Sequence, residues 1–294
     1  MATAKAATRQ LPELSNAGQK ATASVVSLNE FNQPVEGAIA VERALTIYLD
    51  KREIVTLMTL GNHPELLILG WLRNQRMIVD IEAIKAIQVD WETESVAITT
   101  HQGVENLDQK LDHKTVTTGC GQGTMFGDLM DDIDQVKLQA PRLRQSAIYA
   151  LLKSLSDYNE IYKNAGAVHG CALCSETDGI ELFIEDVGRH NAVDAIAGHM
   201  WLKNISGEGK IFYTTGRLTS EMVIKVALME IPVLLSRSGI TAMGLEIAQQ
   251  VGVTLIARAK GRHFLAYHGG ELIEFDEIPS DKPQSGKDSR HSPD

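Results

Sequence analysis

Apolar positions recur along this chain with two periods, and the switches between them mark out the elements. Residues 38–49 alternate loosely, break at Asp50-Lys51 and resume over 54–60, the pattern of a hairpin. Asn62 then precedes Pro64, whose fixed φ suits the first turn of a helix running through Leu66, Leu67, Leu69, Gly70 and Leu72. Strands are expected over 84–91 and 95–100, so the first half reads as small and α+β. Residues 112–127 lose all periodicity and gather glycines around a cysteine, the texture of an exposed connection.

Helical spacing returns after Pro141, with Leu143, Ala147, Ile148, Leu151, Leu152 and Leu155 on one face. Strands over 167–174 and 180–184 flank the turn residues Asp178-Gly179. Helix, strand, helix and strand are then expected over 191–202, 210–214, 220–229 and 232–235. A helix over 241–251 and strands over 254–257 and 264–267 complete the pattern. Short β-branched strands alternating with helices predict a layered α/β sheet, largely parallel after its opening hairpin. The organisation expected is a flexible arm over 1–34, a small α+β domain over 35–111, a glycine-rich connection over 112–140, an α/β domain over 141–279 and a disordered tail over 280–294. The arm lacks the apolar stretch of a secretory signal, and the tail combines Pro283, Pro293 and Gly286 with alternating charge and no apolar face.

Composition narrows the function classes. The 28 Lys and Arg against 38 Asp and Glu leave a net charge of −10, which disfavours nucleic acid and anionic lipid as partners. Aromatic residues are only 5%, too few for a base-stacking platform. No run approaches the ~20 apolar residues of a membrane helix, and three cysteines do not make a disulfide scaffold. A reduced, cytoplasmic setting is the expectation.

Against this acidic background, arginine recurs in the loops that follow strands. The segments are Gly188-Arg189-His190, Gly216-Arg217-Leu218, Ser236-Arg237-Ser238 and Gly261-Arg262-His263. Any one of these reads most simply as a surface residue. Four placed alike predict a shared anionic site, because loops at the carboxyl ends of parallel strands gather on one edge and guanidinium forks bind phosphate bidentately. Cys120, between Gly119 and Gly121, reads as an accessible thiol able to swing between donor and acceptor. Cys171 and Cys174 form a C-x-x-C, but positions three apart on a strand face opposite ways, so burial is the expected role. Glu185 and Asp186 before a glycine turn read as structural caps, and His190 and His263 as packing or hydrogen-bonding residues.

Three segments carry a resemblance: Glu185-Asp186-Val187-Gly188-Arg189-His190-Asn191-Ala192-Val193-Asp194, then Gly216-Arg217-Leu218-Thr219-Ser220-Glu221-Met222, then Ile231-Pro232-Val233-Leu234-Leu235-Ser236-Arg237-Ser238. With them the chain resembles the formate dehydrogenase accessory sulfurtransferases, the FdhD family, from about Val35 to Phe275. The resemblance implies a dimeric cytoplasmic sulfur carrier. Such a protein takes persulfide sulfur from a cysteine desulfurase and passes it to the molybdenum bis(molybdopterin guanine dinucleotide) cofactor, before that cofactor enters formate dehydrogenase. It implies a cytidine-deaminase-like fold for the second half, Cys120 as the persulfide residue, and a cofactor-binding segment at Ala257, Arg258, Ala259, Lys260, Gly261 and Arg262, with guanine nucleotide (GDP) as the natural analogue. His169 stands where deaminases begin an H-x-E zinc motif, but the third residue here is Cys171, so deaminase chemistry is not expected. The family's loop usually reads Cys-Gly-x-Cys; this chain has Gly123 in the last place. A local disulfide cannot form within this loop, a single-cysteine relay suffices chemically, and the alternative is a cofactor-binding chaperone without sulfur transfer.

Overall fold

The computed structural model describes residues 9–104, 107 and 133–277; between them it gives only the backbone pairing of Val116–Thr117 with Gly123–Thr124. Cys120, most of the glycine-rich connection and the tail from 278 onward lie outside the described residues.

The first sheet takes β1 (Glu13–Leu14), β4 (Arg43–Leu49), β5 (Arg52–Thr59), β6 (Ile84–Asp90) and β7 (Ser95–Thr100) in the order β1-β6-β7-β4-β5. The hairpin around Asp50-Lys51 is present, and both turn residues take positive φ. Residues expected to be a flexible arm carry structure instead. Strand β2 (Thr22–Leu28) pairs with β3 (Pro34–Ala40), while β1 joins β6 and Glu65 accepts from Ser15 and from the Ala17 amide. Local pattern misses β1 because its partner β6 is distant in sequence, and misses the local β2–β3 hairpin because its mostly exposed positions leave no apolar alternation to read.

Helix α1 (Pro64–Asn74) links this sheet to the second half. The short strands β8 (Val116–Thr117) and β9 (Gly123–Thr124) pair in between. Strand β10 (Leu143–Arg144) precedes helix α2 (Gln145–Leu155), which therefore starts four residues after Pro141. Those intervening residues are taken up in pairing with β17 (Ile273–Glu274), and the Asp276 carboxylate accepts from the Ser146 amide and hydroxyl in the helix's first turn. The short helix α3 (Glu160–Ala165) leads into the second sheet.

That sheet contains β11 (His169–Ser175), β12 (Gly179–Asp186), β13 (Lys210–Thr214), β14 (Val233–Ser236), β15 (Thr254–Lys260) and β16 (His263–His268), ordered β12-β11-β13-β14-β15-β16. Only β13–β14 and β14–β15 are parallel; the other three ladders are antiparallel. The expectation of a largely parallel sheet is corrected to a mixed one with a parallel centre, since both outer pairs are closed by tight turns that only antiparallel strands permit. Helices α4 (Arg189–Lys203), α5 (Ser220–Leu228) and α6 (Ala242–Val251) follow β12, β13 and β14.

Strand alternation sorts the sheet's side chains between two cores. Cys171, Leu173, Phe212, Leu234 and Leu255 join the core that includes α4, α5 and α6. Ala172, Cys174, Ile211, Val233 and Ile256 join the one built on α2. The result is three layers. The first core continues through α1 into the first sheet, so the two halves share it. Gly70 and Gly198 make that possible: a Cβ on Gly70 would fall 1.6 Å from the Asp194 carbonyl oxygen, and one on Gly198 1.9 Å from that of Leu66. Only glycine lets the α1 and α4 backbones approach this closely.

Candidate functional site

Antiparallel and parallel registers together set one edge of the second sheet. His169 pairs with Asp186, Cys171 with Thr214, Thr214 with Ser236, and Lys260 with His263. The segments that carry Arg189, Arg217, Arg237 and Arg262 therefore all leave the sheet along this edge. In α/β sheets, ligands are held outside such strand ends.

At this edge a cavity of about 610 Å³ opens between α2 and the ends of β13, β14 and β15. Its walls bring together Arg237, Lys260 and Arg262 with the rings of Tyr149 and Tyr213, beside Ala259 and Gly261. Arg262 stacks over Tyr149 at 5.1 Å from the ring centroid and pairs with Glu277. Arg237 donates to the Tyr213 phenol oxygen, and burial nevertheless pushes that phenol up to about 12, so it stays protonated at neutral pH. Cationic side chains beside tyrosine rings, with one carboxylate in the wall, suit an anionic ligand that carries an aromatic part.

A second chamber of about 200 Å³ adjoins it, lined by Tyr162, Val168, His169 and Thr215 and sharing Asn159 and Arg237 with the larger one. The Gly170 amide donates to Thr215 Oγ1 at 3.0 Å, and His169 Nδ1 lies 3.4 Å from that hydroxyl. Burial, then the charges of Arg189 and Arg217, hold the half-buried His169 below the ordinary histidine range, so it is neutral at physiological pH.

The structure does not gather all the residues singled out in the sequence. Ala257 and Ala259 are both buried, but in opposite cores, because a bulge at Arg258 (φ 52°) breaks the alternation. Arg258 itself is exposed and outside both chambers, its amide donating to the Ser238 carbonyl. Arg189 is 3% exposed and packs over Gly216, where a Cβ would fall 2.7 Å from its Cδ. Arg217 is exposed in its loop and reaches the chambers only through its field on His169. Tyr149, Tyr213, Asn159 and Glu277 were not singled out in the sequence. Tyr149, four residues after Gln145 on the buried side of α2, was the one with a readable signal.

The remaining signature residues build a joint between the halves. The Asp186 carboxylate accepts from Thr59 Oγ1 (2.6 Å), the Leu60 amide, the Gly188 amide and Asn191 Nδ2 (2.6 Å). Asp194 accepts from Asn74 Nδ2 and, at 2.8 Å, from Lys225 Nζ, which is wholly buried. Glu185 accepts from the amides of Ile161 and Tyr162 in the first turn of α3. Cys171 and Cys174 are both fully buried, and burial pushes each thiol up to about 12.

A mixed α/β sheet whose strand ends enclose a cationic, tyrosine-lined cavity defines a class of protein suited to holding an anionic aromatic ligand. The particular family follows from comparison: residues 40–274 match the model of the FdhD/NarQ family, and the chain belongs to it. It is similar to the sulfur carrier protein FdhD of Wolinella succinogenes (29% identity, covering 81% of this chain and 83% of the relative). It is also similar to the sulfur carrier protein FdhD of Bacillus subtilis (30% identity, 81% and 91%). Among solved structures it matches a protein from Desulfotalea psychrophila, provisionally described as a formate dehydrogenase accessory protein, with a TM-score of 0.69 and 27% identity over 86% of this chain and 98% of that one. Among the described residues no helix is long and apolar enough to cross a membrane.

Proposed function

We propose that this protein is a sulfur carrier that loads a persulfide on Cys120 and delivers its terminal sulfur to a molybdenum bis(molybdopterin guanine dinucleotide) cofactor destined for formate dehydrogenase. The observation that carries this reading is the cavity lined by Arg237, Lys260 and Arg262 together with Tyr149 and Tyr213. Guanidinium and ammonium groups match the phosphates of such a cofactor, and the rings match a purine or pterin face. Names of the relatives point the same way.

Loading needs no net oxidation. The Cys120 thiolate attacks the outer sulfur of a cysteine desulfurase persulfide; the donor S–S bond breaks, a new one forms, and the desulfurase leaves as a thiolate. The buried thiols of Cys171 and Cys174 take no part, because a thiol held near 12 supplies almost no thiolate at neutral pH. A cytoplasmic homodimer working between a cysteine desulfurase and formate dehydrogenase completes the proposal.

The test is persulfide trapping by mass spectrometry after incubation with a cysteine desulfurase and cysteine, on wild type and Cys120→Ser in parallel. A sulfur adduct on wild type that is lost in the variant is the expected result. An adduct retained in the variant refutes Cys120 as the carrier. No adduct on wild type, with GDP still bound, favours the non-transferring chaperone that Gly123 in place of a second loop cysteine allows.

A further inference from the structure

We infer that the outer edge of β2 is an interaction surface for a second copy of this chain, the two β2 strands pairing antiparallel about a two-fold axis at Val25. Such pairing gives the homodimer proposed above a contact surface and does not depend on sulfur transfer.

The ribbon of β2 and β3 is short of support within its own chain. Two strands alone are marginally stable in water; further strands or a packed face are needed. Here Val26 (64%), Leu28 (67%) and Phe31 (72%) are largely exposed, and Val35 and Ile39 are exposed as well. Register puts Val26 and Leu28 on one face of the ribbon and Val35 and Ile39 on the other. The two edges differ. Strand β3 runs beside α3 and carries Pro34 and Glu36, devices that keep an edge from pairing. Strand β2 holds no charge and no proline, and among the described residues only β3 pairs with it. Its outer amides and carbonyls are a template for another strand.

Charge and register select a second copy as the occupant. At a net charge of −10, two copies repel over most of their surface. Residues 21–29 are free of charge, so a β2 edge that meets itself brings no like charges together. Antiparallel pairing centred on Val25 sets Thr22 across from Leu28, Ala23 from Ser27 and Ser24 from Val26. Two positions beyond each end of the strand, Lys20 of one copy comes opposite Glu30 of the other, and both are exposed. Opposite charges thus bracket an uncharged strand in the self-complementary way a two-fold interface requires. All but the last residue of the ribbon precedes residues 40–274, so this surface lies outside the part of the chain that the family match covers.

Sedimentation velocity over a range of concentrations tests the pairing on the full chain. Wild type should be dimeric. Lys20→Glu and Glu30→Lys should each weaken the dimer about fivefold or more, the scale of two exposed ion pairs lost, and the double exchange should restore it. Val25→Cys, placed in a Cys120→Ser background and oxidised with diamide, should give a covalent dimer, because directly paired positions lie about 5 Å apart at Cβ. Ala23→Cys in the same background should not crosslink, its counterpart lying about 13 Å along the strand from the paired position. Far-ultraviolet circular dichroism checks that each variant keeps the fold. A wild type that is monomeric at every concentration overturns the β2 surface and the homodimer together, while persulfide trapping on Cys120 reads the carrier role separately. A dimeric protein in which Val25→Cys fails to crosslink overturns the β2 surface and leaves the homodimer in place. Crosslinking through Ala23→Cys instead overturns the pairing about Val25.

Discussion

Replacing His190 by glutamine should remove a defined part of this protein's acid sensitivity. His190 is the second residue of α4 and is 2% exposed. Its Nε2 stands 3.3 Å from the Glu221 carboxylate, itself 3.9 Å from the buried Lys225. Burial, reinforced by Lys225, Arg189 and His169, pulls the imidazole from its ordinary 6.5 down to about 2 and keeps it neutral in the folded protein despite Glu221. Below about pH 6.5 the unfolded chain binds a proton here that the folded one refuses, so the stability is present above that pH and is lost as the pH falls toward 2. The slope for one such proton is about 1.4 kcal/mol per pH unit. At about pH 5 the loss reaches about 2 kcal/mol, an order-of-magnitude figure for a group this deeply placed. Urea unfolding at about pH 7.5 and pH 5 reads it directly. The stability difference between the two pH values should be smaller in His190→Gln by about 2 kcal/mol, while the lowered groups His63, His169 and His199 keep their own share in both proteins. Equal differences in wild type and variant would show that His190 is not held neutral, and the account of the buried network would fall.

Gly198→Ala should destabilise by about 1–3 kcal/mol through overpacking, less up to about 1 kcal/mol regained from alanine's helix propensity, because its Cβ would press on the Leu66 carbonyl oxygen. Thermal unfolding measures it, and an unchanged or raised Tm would refute the close crossing of α1 and α4. Iodoacetamide on the native protein should leave Cys171 and Cys174 unmodified, with both reacting once the chain is unfolded. Peptide mass spectrometry that finds either one alkylated under native conditions contradicts their burial.

Much of the fold was legible wherever a residue's role depends on its near neighbours. The strands at Lys210–Thr214 and Ser95–Thr100 fall where β-branched and apolar residues stop against polar ones. Helix α5 begins at Ser220, and α1 takes Pro64 at its first turn, as the local signals require. The opposite placement of Cys171 and Cys174 follows from strand geometry alone. Pairings across long separations were not legible. Leu143–Arg144 finds Ile273–Glu274; the local ribbon of Thr22–Leu28 with Pro34–Ala40 was missed for another reason, its mostly exposed positions leaving no apolar stripe to read.

The site divides along the same line. From its residues the chain determined that arginines follow strand ends on an acidic protein, and that a cysteine sits in a glycine-rich connection. Only the tertiary structure decided which of those arginines face a cavity. Arg237 and Arg262 line it, Arg189 is buried against Gly216, and the bulge at Arg258 sends Ala257 and Ala259 into different cores. Periodicity in a sequence encodes which face of its own element a side chain takes. Where that face ends up depends on bulges, helix crossings and sheet order, which are set by contacts between residues far apart in the chain.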